Sequence, residues 1–92
     1  MSRITVVVPP PIRPLVGGKA RVAVEATTVR EALEAVAAGS TGLRAHLFDQ
    51  NQDLRRFVRV FVNGKCTTVQ SGQEESVADG TEVTILLALA GG

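Results

Sequence analysis

The residues of this chain that could do chemistry are few, and they do not assemble into a catalytic set. Cys66 is the only cysteine and His46 the only histidine. Cys66 follows the Asn63-Gly64 turn without a partner motif and reads as an ordinary edge residue rather than a sulfur relay. His46 sits between Ala45 and Leu47 with no second ligand or nucleophile at a useful spacing, so no metal site is expected. No Ser-His-Asp set and no paired-carboxylate frame is present, and Gly17-Gly18 before Lys19 falls short of a phosphate-binding loop. What remains is the end of the sequence, Ala88-Leu89-Ala90-Gly91-Gly92. Neither Gly91 nor Gly92 has a Cβ, so this end of the chain is slender and its backbone unhindered. Such a tail has no side chains to anchor it. It is expected to be mobile when free and to pay its ordering entropy on docking.

Something must carry that tail, and the composition allows one domain to do so. Ninety-two residues, 45% of them hydrophobic, suffice for a single core without staples. Ten basic and nine acidic side chains nearly cancel, so neither nucleic acid nor an anionic membrane is an expected partner. A lone cysteine cannot form an internal bridge, which points to a reducing cytoplasm. The apolar stretch near the start is too short and too broken by Thr5 and three prolines for a signal segment, and no run approaches the length of a membrane span.

The pattern along the chain supplies the elements. Ile4, Val6 and Val8 alternate with Arg3, Thr5 and Val7, a strand stopped by Pro9-Pro10-Pro11. Residues 9–19 hold too many breakers for regular structure; Val22 and Val24 then resume the alternation, making a hairpin with a long loop. Thr28 and Glu31 form a capping box. Val29, Leu33 and Val36 draw one apolar stripe on the helix it opens, Arg30 and Glu34 face away, and Gly39 offers the stop. Leu43, Leu47 and Phe48 suggest a further helical turn. Val58, Val60 and Val62 mark a third strand, ended by the tight-turn pair Asn63-Gly64. Residues 65–69 return as a short edge strand, Asp79-Gly80 makes another turn, and Val83, Ile85 and Leu87 form the last strand. This order predicts an α+β fold: a mixed sheet of four to five strands with one main helix across one face. A ferredoxin-like order would need a second full helix, so the β-grasp (ubiquitin-like) arrangement is preferred. Residues 1–87 form the domain and 88–92 the tail.

That order, with Val77-Ala78-Asp79-Gly80-Thr81-Glu82-Val83-Thr84-Ile85-Leu86, the closing Gly91-Gly92 and Val60-x-Val62-Asn63-Gly64, resembles the ThiS/MoaD family of sulfur carriers over essentially the whole chain. Pro9, Arg13-Pro14 and Gly17-Gly18 resemble the subgroup that supplies sulfur for cysteine synthesis, although Leu87-Ala88-Leu89 stands where that subgroup often has a proline. The resemblance implies that the chain is not an enzyme and binds no cofactor. An E1-like adenylyltransferase (MoeB/ThiF-like) would use ATP to turn the Gly92 carboxylate into an acyl adenylate. Sulfur would then replace AMP to give a thiocarboxylate, a soft nucleophile by the logic that makes thiolates reactive. Gly91 and Ala90 would thread the partner's channel. The cysteine branch further implies a pyridoxal-phosphate-dependent cysteine synthase as acceptor and a zinc metalloprotease that frees the product. Two other roles share this tail: the small subunit of molybdopterin synthase, and a ubiquitin-like modifier joined to lysines through Gly92.

Docking must come from the body. With Val58, Val60 and Val62 toward the helix, Phe57, Arg59 and Phe61 face the other way, and Leu86 on the last strand joins them. An apolar patch containing an arginine is the expected docking surface for the activating enzyme. A one-residue slip would invert it.

Overall fold

The computed structural model describes residues 2–67 and 76–87. β1 (Ser2–Val7) and β2 (Arg21–Ala26) form the expected antiparallel hairpin, with Ile4 opposite Val24 and Val6 opposite Val22. Their loop is more regular than the sequence suggests, for Pro10–Val16 winds into a 3-10 helix. Proline suits the first turn of a helix, where its missing N–H would have no partner. Gly17, at φ 69°, closes this helix, and Ile12 is buried beneath it.

α1 (Val29–Ala37) starts at the predicted cap: Glu31 N–H donates to Thr28 Oγ1 at 3.1 Å. The reciprocal bond is displaced by one residue, because Glu31 Oε1 accepts from Thr27 N–H at 2.8 Å. Gly39 does not end α1 in a left-handed cap. Ala38 N–H closes onto Glu34 O, Ser40 N–H onto Ala37 O, and Ser40 at once caps α2 (Thr41–Leu47) through a bond from Leu43 N–H. A second helix thus stands where the sequence offers only a turn, too short to alter the β-grasp order.

β3 (Val58–Val62) turns through Asn63 and Gly64, at φ 50° and 85°, into β4 (Lys65–Thr67), and β5 (Glu82–Leu87) lies beside β3. Two positive φ values define the tight hairpin turn that an Asn-Gly pair favours. Among the described residues the sheet runs β2-β1-β5-β3-β4, with β1 and β5 parallel at its centre and the other pairs antiparallel. The Asp79-Gly80 turn fixes that central pairing: Asp79 Oδ1 accepts from Arg3 N–H, and Gly80 N–H donates to Arg3 O. This is a β-grasp fold, five strands holding helices on one face.

The core lies between that face and the helices. Ile4, Val6, Val60, Val83 and Ile85 of the sheet meet Leu33 and Val36 of α1 and Leu43 and Leu47 of α2, all buried. Burying a side chain such as Leu33 is worth about 1.5–3 kcal/mol. Arg30 departs from the expected outward position. It is buried, with its guanidinium 5.4 Å from the Phe48 ring centroid and 3.5 Å from Glu34 Oε1, and it donates to the Gln52 carbonyl. The cause is tertiary: α2 and the loop after it close over that side of α1. No helix of the described residues is long and apolar enough to cross a membrane. Residues 88–92, the expected tail, and 68–69 of the expected fourth strand lie outside the described residues.

Candidate functional site

Period-2 alternation on β3 sends Val58 and Val60 into the core and leaves Arg59 exposed on the opposite face. Register with β5 then sets Arg59 directly opposite Leu86 and Phe61 opposite Thr84. Leu86 is 45% exposed, the one large hydrophobic side chain left open among the described residues. Phe61 is half-buried, and on its other flank it pairs with Cys66 of β4. Arg59 is held at this surface by donation from its guanidinium to Arg56 O at 2.8 Å. Leu86, Arg59 and Phe61 are therefore neighbours on one side of the sheet.

Phe57 does not join them. It lies in the turn before β3, half-buried and packed against the core, so strand alternation cannot be extended back to it. Gly92, Gly91 and Ala90 lie outside the described residues, which end at Leu87 in β5. β5 occupies the middle of the sheet, and Leu86 adjoins its C-terminal end.

The rest of the open face mixes small apolar residues, Val7 and Ala23, with polar ones. Arg21 on β2 reaches over β1 to Glu82 on β5, 2.8 Å away. Both side chains are largely exposed, so this pair contributes at most about 1 kcal/mol. Cys66 is exposed on its edge strand, and His46 is exposed with Nδ1 3.1 Å from Gly42 O. Arg13, in the proline-rich loop, is tied to the fold, its Nε donating to Val8 O at 2.9 Å. Among the described residues no group of three or more His, Cys, Asp or Glu side chains could hold a metal ion.

Five strands in the order β2-β1-β5-β3-β4 with helices on one face define the ubiquitin-like β-grasp class. Residues 6–92 match the ThiS family, and the chain belongs to that family. Over 91 residues it is 34% identical to the sulfur carrier protein CysO of Mycobacterium tuberculosis, covering 97% of this chain and 98% of that protein. The structure of a BexX/CysO complex from Amycolatopsis orientalis contains a chain 36% identical, with a TM-score of 0.82 and coverage of 97% and 99%. Small archaeal modifier protein SAMP1 of Haloferax volcanii shares the fold, with a TM-score of 0.83 at 21% identity over 99% of this chain and 100% of that one.

Proposed function

We propose that this protein is a sulfur carrier whose working group is the Gly92 carboxylate, presented by a β-grasp body that docks through Arg59, Phe61 and Leu86. The observation that carries the reading is the family match, which runs through Gly92 itself. An activating enzyme of the adenylyltransferase class joins a carboxylate oxygen to the α-phosphorus of ATP, releasing pyrophosphate. Hydrosulfide then attacks the carbonyl carbon, the C–S bond forms as the C–O bond to AMP breaks, and AMP and a proton leave to give the thiocarboxylate. The carrier's own part is steric. Five residues beyond Leu87 extend at most about 17 Å, so the body must dock within that distance of the partner's adenylation site.

The CysO relatives support the cysteine branch; a pyridoxal-phosphate-dependent cysteine synthase as acceptor and a zinc metalloprotease that releases the product are the partners the family resemblance implies for it. The BexX/CysO complex of A. orientalis supports a protein partner for the carrier. Adenylation is tested by pyrophosphate exchange into ATP with the E1-like enzyme of the same cell. Exchange that requires this chain supports the proposal; exchange that is indifferent to it, with every such enzyme, removes it.

A further inference from the structure

Among the described residues β2 is an edge strand, and the direction of its backbone groups can be read from the ladder. Val8 N–H donates to Ala20 O at 2.8 Å, which makes Val8 and Ala20 a hydrogen-bonded pair in the β1–β2 register. Hydrogen-bonded and non-bonded pairs alternate along an antiparallel ladder. Val22 and Val24 therefore direct their N–H and C=O groups at β1, whereas those of Arg21, Ala23 and Glu25 point outward. The far side of β1 agrees: Thr5 N–H donates to Thr81 O and Arg3 O accepts from Gly80 N–H, both toward β5. Arg21, Ala23 and Glu25 are exposed, and a shallow depression lined by Arg3, Ala23, Val24 and Glu25 runs beside the strand.

Exposed edges are usually blunted by charged side chains, proline or a bulge; Arg21–Ala26 has no proline and no bulge, and its two charged residues, Arg21 and Glu25, are of opposite sign. Its sequence is instead self-complementary. Turned through a two-fold axis at Ala23, the run Arg21-Val22-Ala23-Val24-Glu25 sets Arg21 against Glu25 of a second copy, Val22 against Val24, and Ala23 against Ala23. We propose that this edge pairs antiparallel with the same edge of a second copy of the chain, in that register.

Three features fit this one occupant. All outward-pointing backbone groups of Arg21, Ala23 and Glu25 find partners, each facing pair exchanging its two hydrogen bonds. The charges form an alternating row across the junction, Glu82 and Arg21 of one copy followed by Glu25 and Arg3 of the other, since Glu82 is paired with Arg21 and Arg3 lies opposite Glu25 within each chain. Registers centred on Arg21 or on Glu25 would set like charges opposite one another and are disfavoured. The contact is isologous and closes as a dimer. A single strand pair is small beside a stable interface, so association is weak. β1 lies between β2 and β5, so the pairing leaves Leu86 and the exit of β5 uncovered, and it stands independently of the carrier function.

Sedimentation equilibrium of the full chain from about 10 μM to about 1 mM tests the pairing. A concentration-dependent monomer–dimer equilibrium is expected. Glu25→Arg sets two arginines opposite each other and should weaken it about tenfold or more. Arg21→Glu should do the same, and the double exchange R21E/E25R should return the dissociation constant to within about threefold of the original. Both positions are exposed, so circular dichroism should show each variant folded; if a reversal unfolds the chain, Glu25→Gln serves, with a weakening of about threefold. A monomer at every concentration, a dimer indifferent to substitution at residue 25, or a double exchange without recovery would overturn the proposal.

Discussion

Arg59 and Leu86 face each other across the β3–β5 pair, on the side of the sheet turned away from both helices. This pairing puts a cation and an exposed apolar side chain next to Leu87, five residues before Gly92 in the sequence. A partner that grips them is already within a short tail's length of Gly92.

Docking on this face predicts a change in affinity rather than in folding. Leu86→Asp should raise the KM of the activating enzyme for this chain about tenfold, the usual scale for losing an interface anchor. Leu86 is 45% exposed, so stability should change by no more than about 0.5 kcal/mol. Steady-state adenylation kinetics and a thermal melt read the two quantities, and an unchanged KM would move docking elsewhere.

Threading predicts the opposite split. Gly91→Val places a branched side chain in the segment proposed to thread the partner's channel and should lower kcat of loading about a hundredfold, with the melting temperature unaltered. Normal turnover of that variant would show that the tail meets no close wall.

The cap of α1 offers a test of the fold alone. Thr28→Ala removes the acceptor for Glu31 N–H and should cost about 1 kcal/mol, or roughly 5 °C in melting temperature for a domain of this size. Urea unfolding that matches the parent chain would mean that Glu31 on Thr27 N–H is sufficient by itself.

Two glycines should respond with opposite signs. Gly80 has φ 86°, so Gly80→Ala forces a side chain into the left-handed region and should destabilise by about 1 kcal/mol. A Cβ at Gly39 meets nothing closer than Val36 O at 3.9 Å, and its φ is not in that region. Gly39→Ala should therefore stabilise by about 0.4–1 kcal/mol. Chemical denaturation of the two variants side by side checks the sign of each.

The sequence shows most of the sheet because its strands alternate strictly: the β3 valines select the buried face, and Arg59 and Phe61 take the other by default. The capping box and the Asn63-Gly64 turn are local chemistry and are equally legible. What escapes is tertiary. Nothing near Arg30 tells that α2 and the loop after it will bury its guanidinium over Phe48. Phe57 obeys the alternation on paper but precedes the strand. The prolines of residues 9–14 read as breakers, although proline is also at home in the first turn of a helix. The outward direction of the β2 backbone depends on which pairs of a ladder are hydrogen-bonded, information that side-chain types do not carry. Gly91 and Gly92 are the reverse case, recognised from sequence and family while lying outside the described residues.

The central claim is that Gly92 bears the transferred sulfur. Its most direct test is the intact mass of the purified chain after incubation with ATP, a sulfide source and the E1-like enzyme of the same cell. The account predicts replacement of one oxygen by sulfur, localised by fragmentation to Gly92 and abolished by deleting that residue. An unchanged mass with each such enzyme, or sulfur found on Cys66 instead, would contradict it.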